Sequence, residues 1–394
     1  MLEQEMMLKK SLAKLTCACA LLGCSNFANA DFNISGFASI VGGAYSEENF
    51  VYAGYDDDVS FEPDTLVGLQ FVKRISDKLM VTGQFISDGR KDFDVEAELA
   101  YLTYSARPNW DIRAGRLRAP LYYYSDFVDV GYAYPWIRPP VELYGNGAFD
   151  VFEGIDTIYR SRIGRWDAMY QLFYGRMDTE LGASDLELLD FAGVNVTFNR
   201  RWLTLRAGFV STDLSVSTSE GIQGLIQTLN GAGFADLANQ LDTTDHKQTK
   251  YIALAAIIDY KNWLVNAEFT TVDFDSIFIT DSDTWFVMLG RRFDEFTAHI
   301  TYSSAQADPD FEGNTIPLGV APAFDQLHAI VDSALGNNED SSLTFGIRYD
   351  VDDGVAVKAE VTRFERDIAE PLFTGQQSGV DDGTLLSIGV DVVF

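Results

Sequence analysis

The chain has 394 residues, 47% of them hydrophobic, and carries 59 acidic against 29 basic side chains for a net charge of −30. An excess of acid on this scale repels nucleic acid and removes that class of partner. All three cysteines, Cys17, Cys19 and Cys24, lie near the start of the chain, so nothing downstream depends on disulfides, thiol catalysis or cysteine-held metal.

Residues 1–30 read as a secretory signal: Lys9, Lys10 and Lys14 precede an apolar stretch from Leu15 to Gly23, and Ala28-Asn29-Ala30 is a small-residue cleavage site. Leu21-Leu22-Gly23-Cys24 also fits a lipoprotein box. Cleavage after Ala30 is favoured, because Asp31-Phe32-Asn33-Ile34-Ser35-Gly36-Phe37 begins a strand at once and leaves no tether. Losing the three lysines and two glutamates of this segment would take the net charge from −30 to −31.

Beyond residue 30 no apolar run approaches the roughly 20 residues of a transmembrane helix. A closed β-barrel is the other way to satisfy backbone hydrogen bonds in lipid, and residues 31–394 repeat its unit. Seven tight turns are expected at Ser76-Asp77-Lys78, Arg107-Pro108-Asn109, Ile163-Gly164-Arg165, Asn199-Arg200-Arg201, Lys261-Asn262, Asp294-Glu295 and Asp352-Asp353-Gly354. Trp110, Trp166, Trp202, Trp263 and Phe296 each follow such a turn, where an interfacial aromatic girdle belongs.

Seven turns with both ends of the barrel on one side imply an all-β antiparallel transmembrane barrel of sixteen strands with eight long outer loops. The expected strands are 32–45, 65–75, 78–88, 94–106, 110–117, 151–161, 166–176, 185–198, 202–212, 249–260, 262–273, 282–293, 296–306, 341–351, 355–366 and 384–394. Phe296, Ala298, Ile300 and Tyr302 alternate with Thr297, His299, Thr301 and Ser303, and Val355, Val357, Ala359 and Val361 with Lys358, Glu360 and Thr362. Strands 185–198 and 249–260 are ambiguous, with apolar residues on both faces. Sixteen strands leave an aqueous lumen, and the polar members of the alternation are its candidate lining: Glu96, Glu98, Arg206, Glu268, His299, Arg348, Lys358 and Glu360, with Asn266 and Asp391. A charge facing lipid at the midplane would cost roughly 2–4 kcal/mol.

Two outer loops contain helical spacing. In 213–248, Ile222, Leu225, Ile226 and Leu229 precede a break at Gly231 to Gly233, then Phe234, Leu237 and Leu241 follow; in 307–340, Pro322 opens a stripe of Phe324, Leu327, Val331 and Leu335 that ends at Gly336-Asn337. Each must bury one face, either as a lid on or in the barrel mouth or against the other outside it. The third loop, 118–150, is the most individual, running Pro120-Leu121-Tyr122-Tyr123-Tyr124-Ser125-Asp126-Phe127-Val128-Asp129, then Tyr132 to Pro140. Loops of this length usually have a task.

The last strand alternates Leu386, Ile388, Val390, Val392 and Phe394 against Ser387, Gly389 and Asp391, and Gly389-Val390-Asp391-Val392-Val393-Phe394 resembles the Gly-x-x-apolar-x-aromatic ending of Gram-negative outer-membrane barrels. With the Gly115-Arg116 strand end and the loop that follows, the chain from residue 31 onward resembles a trimeric Gram-negative porin. That resemblance implies a homotrimer in the outer membrane, a passive channel for small hydrophilic solutes, and a third loop that folds inward as the constriction, its acids facing bases of the wall. Carried onto this chain, it makes Asp126, Asp129 and Glu142 candidate loop acids and Arg116 a candidate wall base, with Arg118 and Arg138 able to point either way. Counting from Trp110 through Ile112 and Ala114 puts Arg116 on the outer face, so it needs either a bulge at Gly115 or a place at a subunit contact.

Acids gather in the outer loops, at Glu47-Glu48, Asp56-Asp57-Asp58, Asp273, Asp275, Asp281, Asp283, Glu339-Asp340 and Asp381-Asp382. They favour entry of cations, and equally suit divalent bridges to lipopolysaccharide. A mild cation preference is expected. The rival readings are an adhesin or receptor barrel and a barrel hydrolase. The chain has three histidines, His246, His299 and His328, and His299 lies roughly 13 Å along a strand from Ser303, too far for a catalytic dyad. Asp308-Pro309-Asp310-Phe311-Glu312-Gly313 opens like a calcium loop but has Gly319 where a bidentate glutamate belongs. No cofactor, metal or catalytic site is expected.

Overall fold

A computed structural model describes residues 32–48, 50–145, 149–181, 184–217, 220–242, 244, 246–274, 281–308, 314–334, 338–368 and 379–394. The signal segment with its lipoprotein-box alternative, Asp275, the core of the calcium-like stretch and Leu335-Gly336-Asn337 lie outside these residues.

Sixteen antiparallel strands each pair with their sequence neighbours, and the last returns to the first to close a barrel. They are β1 (Phe32–Tyr45), β2 (Leu66–Ser76), β3 (Leu79–Asp88), β4 (Val95–Arg107), β5 (Trp110–Arg118), β6 (Val151–Ile163), β7 (Trp166–Leu181), β8 (Ser184–Arg200), β9 (Leu203–Val216), β10 (Lys247–Tyr260), β11 (Trp263–Phe274), β12 (Asp281–Phe293), β13 (Phe296–Asp308), β14 (Asn338–Asp352), β15 (Val355–Ile368) and β16 (Gly379–Val393). Closure matters because it leaves no edge whose N–H and C=O groups would face lipid unpaired. β16 meets β1 in register from Phe37↔Val393 to Tyr45↔Leu385, and Phe394 exchanges two backbone bonds with Gly36, at 2.8 and 2.9 Å.

The seven tight turns fall at the expected places. Five are set by a residue at positive φ, Gly164 (59°) and Gly354 (83°) but also Arg201 (57°), Lys261 (55°) and Asp294 (52°). The left-handed conformation matches the twist of a hairpin. Beside these turns Trp110, Trp202, Trp263 and Phe296 are exposed on the outer surface, and Arg200 and Arg291 lie over the rings of Trp166 and Trp263.

Burial alternates more strictly than hydropathy. On β12, Trp285, Val287 and Leu289 are exposed while Phe286 and Met288 are fully buried. The outer set forms an apolar band, and the inner set is covered from within. The same rule settles the two ambiguous strands. On β8, Leu186 and Leu188 point into a core shared with Leu117, Leu121 and Phe152, and Phe191 joins them because the register shifts between Leu189 and Ala192; on β10, Ile252 and Leu254 are exposed while Ala253 and Ala255 are buried.

The outer helices are α2 (Glu220–Ala232), α3 (Ala235–Leu241) and α4 (Pro322–Ala334), preceded in the chain by a single turn, α1 (Val141–Tyr144). Leu225, Leu229, Leu237, Ala238 and Leu241 share one core with Ile316, Leu327 and Val331, and Phe234 meets Phe324 edge-on at 5.5 Å. The described residues show the helices covering each other's apolar faces.

Candidate functional site

Between Arg118 and Asp150 the chain turns into the barrel and lies along its inner wall. Every strand from β8 to β11 and from β13 to β16 offers a luminal hydrogen-bonding group to it. At the entry, Asn195 of β8 donates to the Pro120 carbonyl at 2.8 Å, and Arg206 of β9 donates to the Pro120 and Leu121 carbonyls at 2.5 and 3.1 Å. Glu268 of β11 accepts from the Tyr123 amide at 2.9 Å and from the Tyr144 hydroxyl. Further in, Thr301 of β13 accepts from the Trp136 indole, Arg348 of β14 donates to the Tyr132 and Tyr134 carbonyls, and Glu360 of β15 accepts from the Ile137 amide, all at 2.6–2.9 Å. Lys358 of β15 donates to the Gly131 and Trp136 carbonyls and pairs with Asp391 of β16 at 2.7 Å. Aromatic side chains fill the space between, with Tyr124, Tyr134, Trp136 and Leu143 packed on Phe286 and Met288.

This changes the reading of the expected lining residues. Arg206, Glu268, Arg348, Lys358 and Glu360 do face the lumen, but they are seats for the loop, not a wetted wall. His299 is buried 3.5 Å from Glu360 with its ring against Trp136. Glu96 is held by Lys91 at 2.5 Å, and Glu98, which a β-bulge displaces from the β3–β4 register, pairs with Arg118 at 3.1 Å.

The loop acids separate into three environments. Asp129 is bound to Arg118, itself only 4% exposed and also 3.9 Å from Asp150. Asp126 is exposed, in a single 3-10 turn from Ser125 to Phe127. Glu142, on α1, has both carboxyl oxygens buried. Arg138 turns away from the loop tip to Asp64 of the first outer loop, at 2.5 Å, and to Ser387.

Among the described residues Arg116 forms no ion pair with a loop acid, though it borders the cavity that Glu98, Asp129 and Asp150 line. The β5–β6 register is unbroken from Trp110 to Arg118, so the bulge that would turn it inward is absent, although Gly115 does adopt a φ of 137°. Arg116 stands beside the exposed Glu153 in that register, and its Nε donates to the Glu98 carbonyl at 3.2 Å. The β5 base that meets a loop acid is Arg118, through Asp129; a second base of the strand, Arg113, is bound in bidentate fashion to Asp156 of β6, which Gln171 of β7 also holds at 2.8 Å, and its guanidinium lies 5.5 Å from the Tyr101 ring centre. The signal for it was in the sequence, since Arg113 falls between Ile112 and Ala114 in the same alternation that placed Arg116 outside.

At the outer end of these strands a vestibule of about 1340 Å³ is lined by the acids Asp88, Glu96, Glu98, Asp129 and Asp150 among others, and by the bases Arg90, Lys91 and Arg116. Burial, opposed by Arg118 and reinforced by Asp129 and Glu98, leaves the Asp150 carboxyl pushed up to about 6.

Neither a protein-family model nor a curated protein sequence matches the chain. Solved structures do match in fold. The outer membrane channel DcaP of Acinetobacter baumannii aligns at TM-score 0.59 and 13% identity, over 94% of this chain and 99% of that one. OmpT, an outer membrane protein of Vibrio cholerae, gives 0.56 and 12% over 93% and 99%, and an anion-selective porin from Comamonas acidovorans gives 0.55 and 11% over 92% and 99%. At such identities the likeness is one of architecture, and the protein carries the closed, sixteen-stranded antiparallel barrel fold of outer-membrane porins.

Proposed function

We propose that the protein is a porin: a passive, water-filled channel for small hydrophilic solutes and ions, held in the bilayer of a Gram-negative outer membrane as a homotrimer and exported by the signal in residues 1–30. The observation that carries this reading is the inward loop. It is seated on β8–β11 and β13–β16, while the opposite wall carries inward polar residues, the half-buried Arg113 and the buried Thr82, Gln84, Thr103, Asp156 and Gln171. Solute would pass from the acidic vestibule down this second wall, past Asp126. The trimer rests on the resemblance and on the trimeric form described for the Vibrio cholerae protein. The outer acids would meet lipopolysaccharide through divalent ions and give the mild preference for cations.

Purified protein in a planar bilayer is expected to open ohmic channels without nucleotide or cofactor, and cross-linking in detergent to give trimers. Folded protein that conducts nothing would overturn the channel, and turnover of a lipid or peptide substrate would replace it with the hydrolase reading.

A further inference from the structure

The single turn α1 sits against β12, β13 and β14. Its Leu143 enters the core around Phe286 and Met288, and its Val141 packs beside Tyr45, Tyr52, Tyr55 and Phe364. Between these two apolar anchors lies Glu142. Neither of its buried carboxyl oxygens makes a hydrogen bond of good geometry, and the nearby Ser303 hydroxyl also lacks a partner. Ser342 of β14, paired with Ser303 across the two strands, also reaches Glu142.

The charged and titratable groups of this corner offer Glu142 no base. Asp340 of β14 faces it with like charge and is itself bound by Arg366 of β15 at 2.8 Å. From the first outer loop comes the phenol of Tyr52, and within the third loop Arg138, committed to Asp64. The serine hydroxyls and the Glu142 amide can donate to an ionised carboxylate, but burial and the like charge of Asp340 disfavour that form, whereas a protonated carboxyl is a donor that either serine can accept.

We propose that Glu142 is a proton-operated latch on the third loop: α1 seats on the β12–β14 wall with Glu142 protonated, and loss of that proton releases it. The idea rests on the channel reading only for its consequence, a wider or noisier pore as pH rises. Burial pushes the Glu142 carboxyl above the ordinary carboxylate range, Asp340 acts in the same direction, and its own amide and the two serines oppose. The seated state therefore keeps a proton that the released state has lost. Seating is strongest below the ordinary carboxylate pKa and weakens as pH climbs through the raised one; between the two, the ratio of released to seated loop grows about tenfold per pH unit.

Hydrogen exchange of the Leu143, Tyr144 and Gly145 amides, which bond back to Pro140 and Val141, tests this in detergent without reference to conduction. Wild type and Glu142→Gln are compared at each pH from 4 to 8, so the intrinsic pH dependence cancels. The expected ratio of wild-type to variant rates rises by up to tenfold per unit over part of the range and then levels. A ratio that stays constant overturns the latch. Should Glu142→Gln fail to give a heat-modifiable barrel, Ser303→Ala with Ser342→Ala serves instead. Removing both acceptors should speed exchange at pH 4 and leave it unchanged at pH 8, and no effect at pH 4 overturns the proposal. A protein that never conducts but shows the expected exchange would sink the channel and leave the latch standing.

Discussion

Lys358 is the residue on which the seating of the third loop can be tested most sharply. Its ammonium is wholly buried and makes three bonds, to the carbonyls of Gly131 and Trp136 and to Asp391, whose carboxylate is 4% exposed and has one other partner, Ser39 at 2.6 Å. Lys358→Met keeps most of the stem and removes the charge. It leaves a buried carboxylate short of its counter-ion and two loop carbonyls without donors, and breaking a buried pair from one side costs about 3–5 kcal/mol. The β14–β15 and β15–β16 ladders do not use that side chain, so the cost should fall on the loop and not on barrel closure. At about 1.4 kcal/mol per tenfold, exchange of the Ile137 amide, now held by Glu360, should quicken by about 100-fold or more, with a larger or noisier current. The barrel should remain heat-modifiable on a gel. Lys358→Met with Asp391→Asn removes both charges and should recover much of the loss, since the pair is coupled. Unchanged protection of Ile137 in the single variant would refute the claim that these wall charges are seats for the loop.

The strand count and nearly every strand boundary were legible because lipid imposes an alternation that a sequence must display: the expected strand 110–117 is β5 to within a residue, and 151–161 begins where β6 does. The interior was harder for a physical reason. A lumen filled by water shows itself as polar residues opposite apolar ones, but here much of the lumen is filled by protein. Phe286 and Met288 are inward and apolar because Trp136 and Leu143 cover them, while Arg206 and Lys358 are inward and charged because they bind loop carbonyls. Neither role can be read from one strand alone, since each depends on a partner more than 80 residues away. Arg116 shows a different limit of the sequence. The alternation places it on the outer face, as the β5–β6 register does, while Arg113, three residues earlier, has the inward parity and pairs with Asp156; that Arg116 still borders the outer cavity depends on residues from other strands.

Three further outcomes follow from the same geometry. Deleting 220–241 together with 322–334 removes a core closed on itself, so the barrel should fold and the single-channel current should still be limited by the third loop; a several-fold rise would mean the helices obstruct the path. Because the Asp150 carboxyl is pushed up to about 6, it gains its proton as pH falls through that value, and the cation preference should weaken between pH 7 and pH 5; Asp150→Asn should lack this step, and an identical step in the variant would assign it elsewhere. The last concerns Asp126, the exposed acid of the loop tip, set apart from Asp129, whose charge Arg118 balances. A unit charge about 6 Å from a passing ion in water-like surroundings contributes about 0.7 kcal/mol, with opposite sign for cations and anions. Asp126→Asn should therefore change the cation-to-anion permeability ratio by about tenfold at low salt, read as a reversal-potential shift toward anions. Neutralising the exposed Asp56, Asp57 and Asp58 removes three charges from an outer loop, yet should do less at moderate salt, because screening confines their field to about 8–10 Å. The reverse ranking would place the narrowest passage away from the third loop.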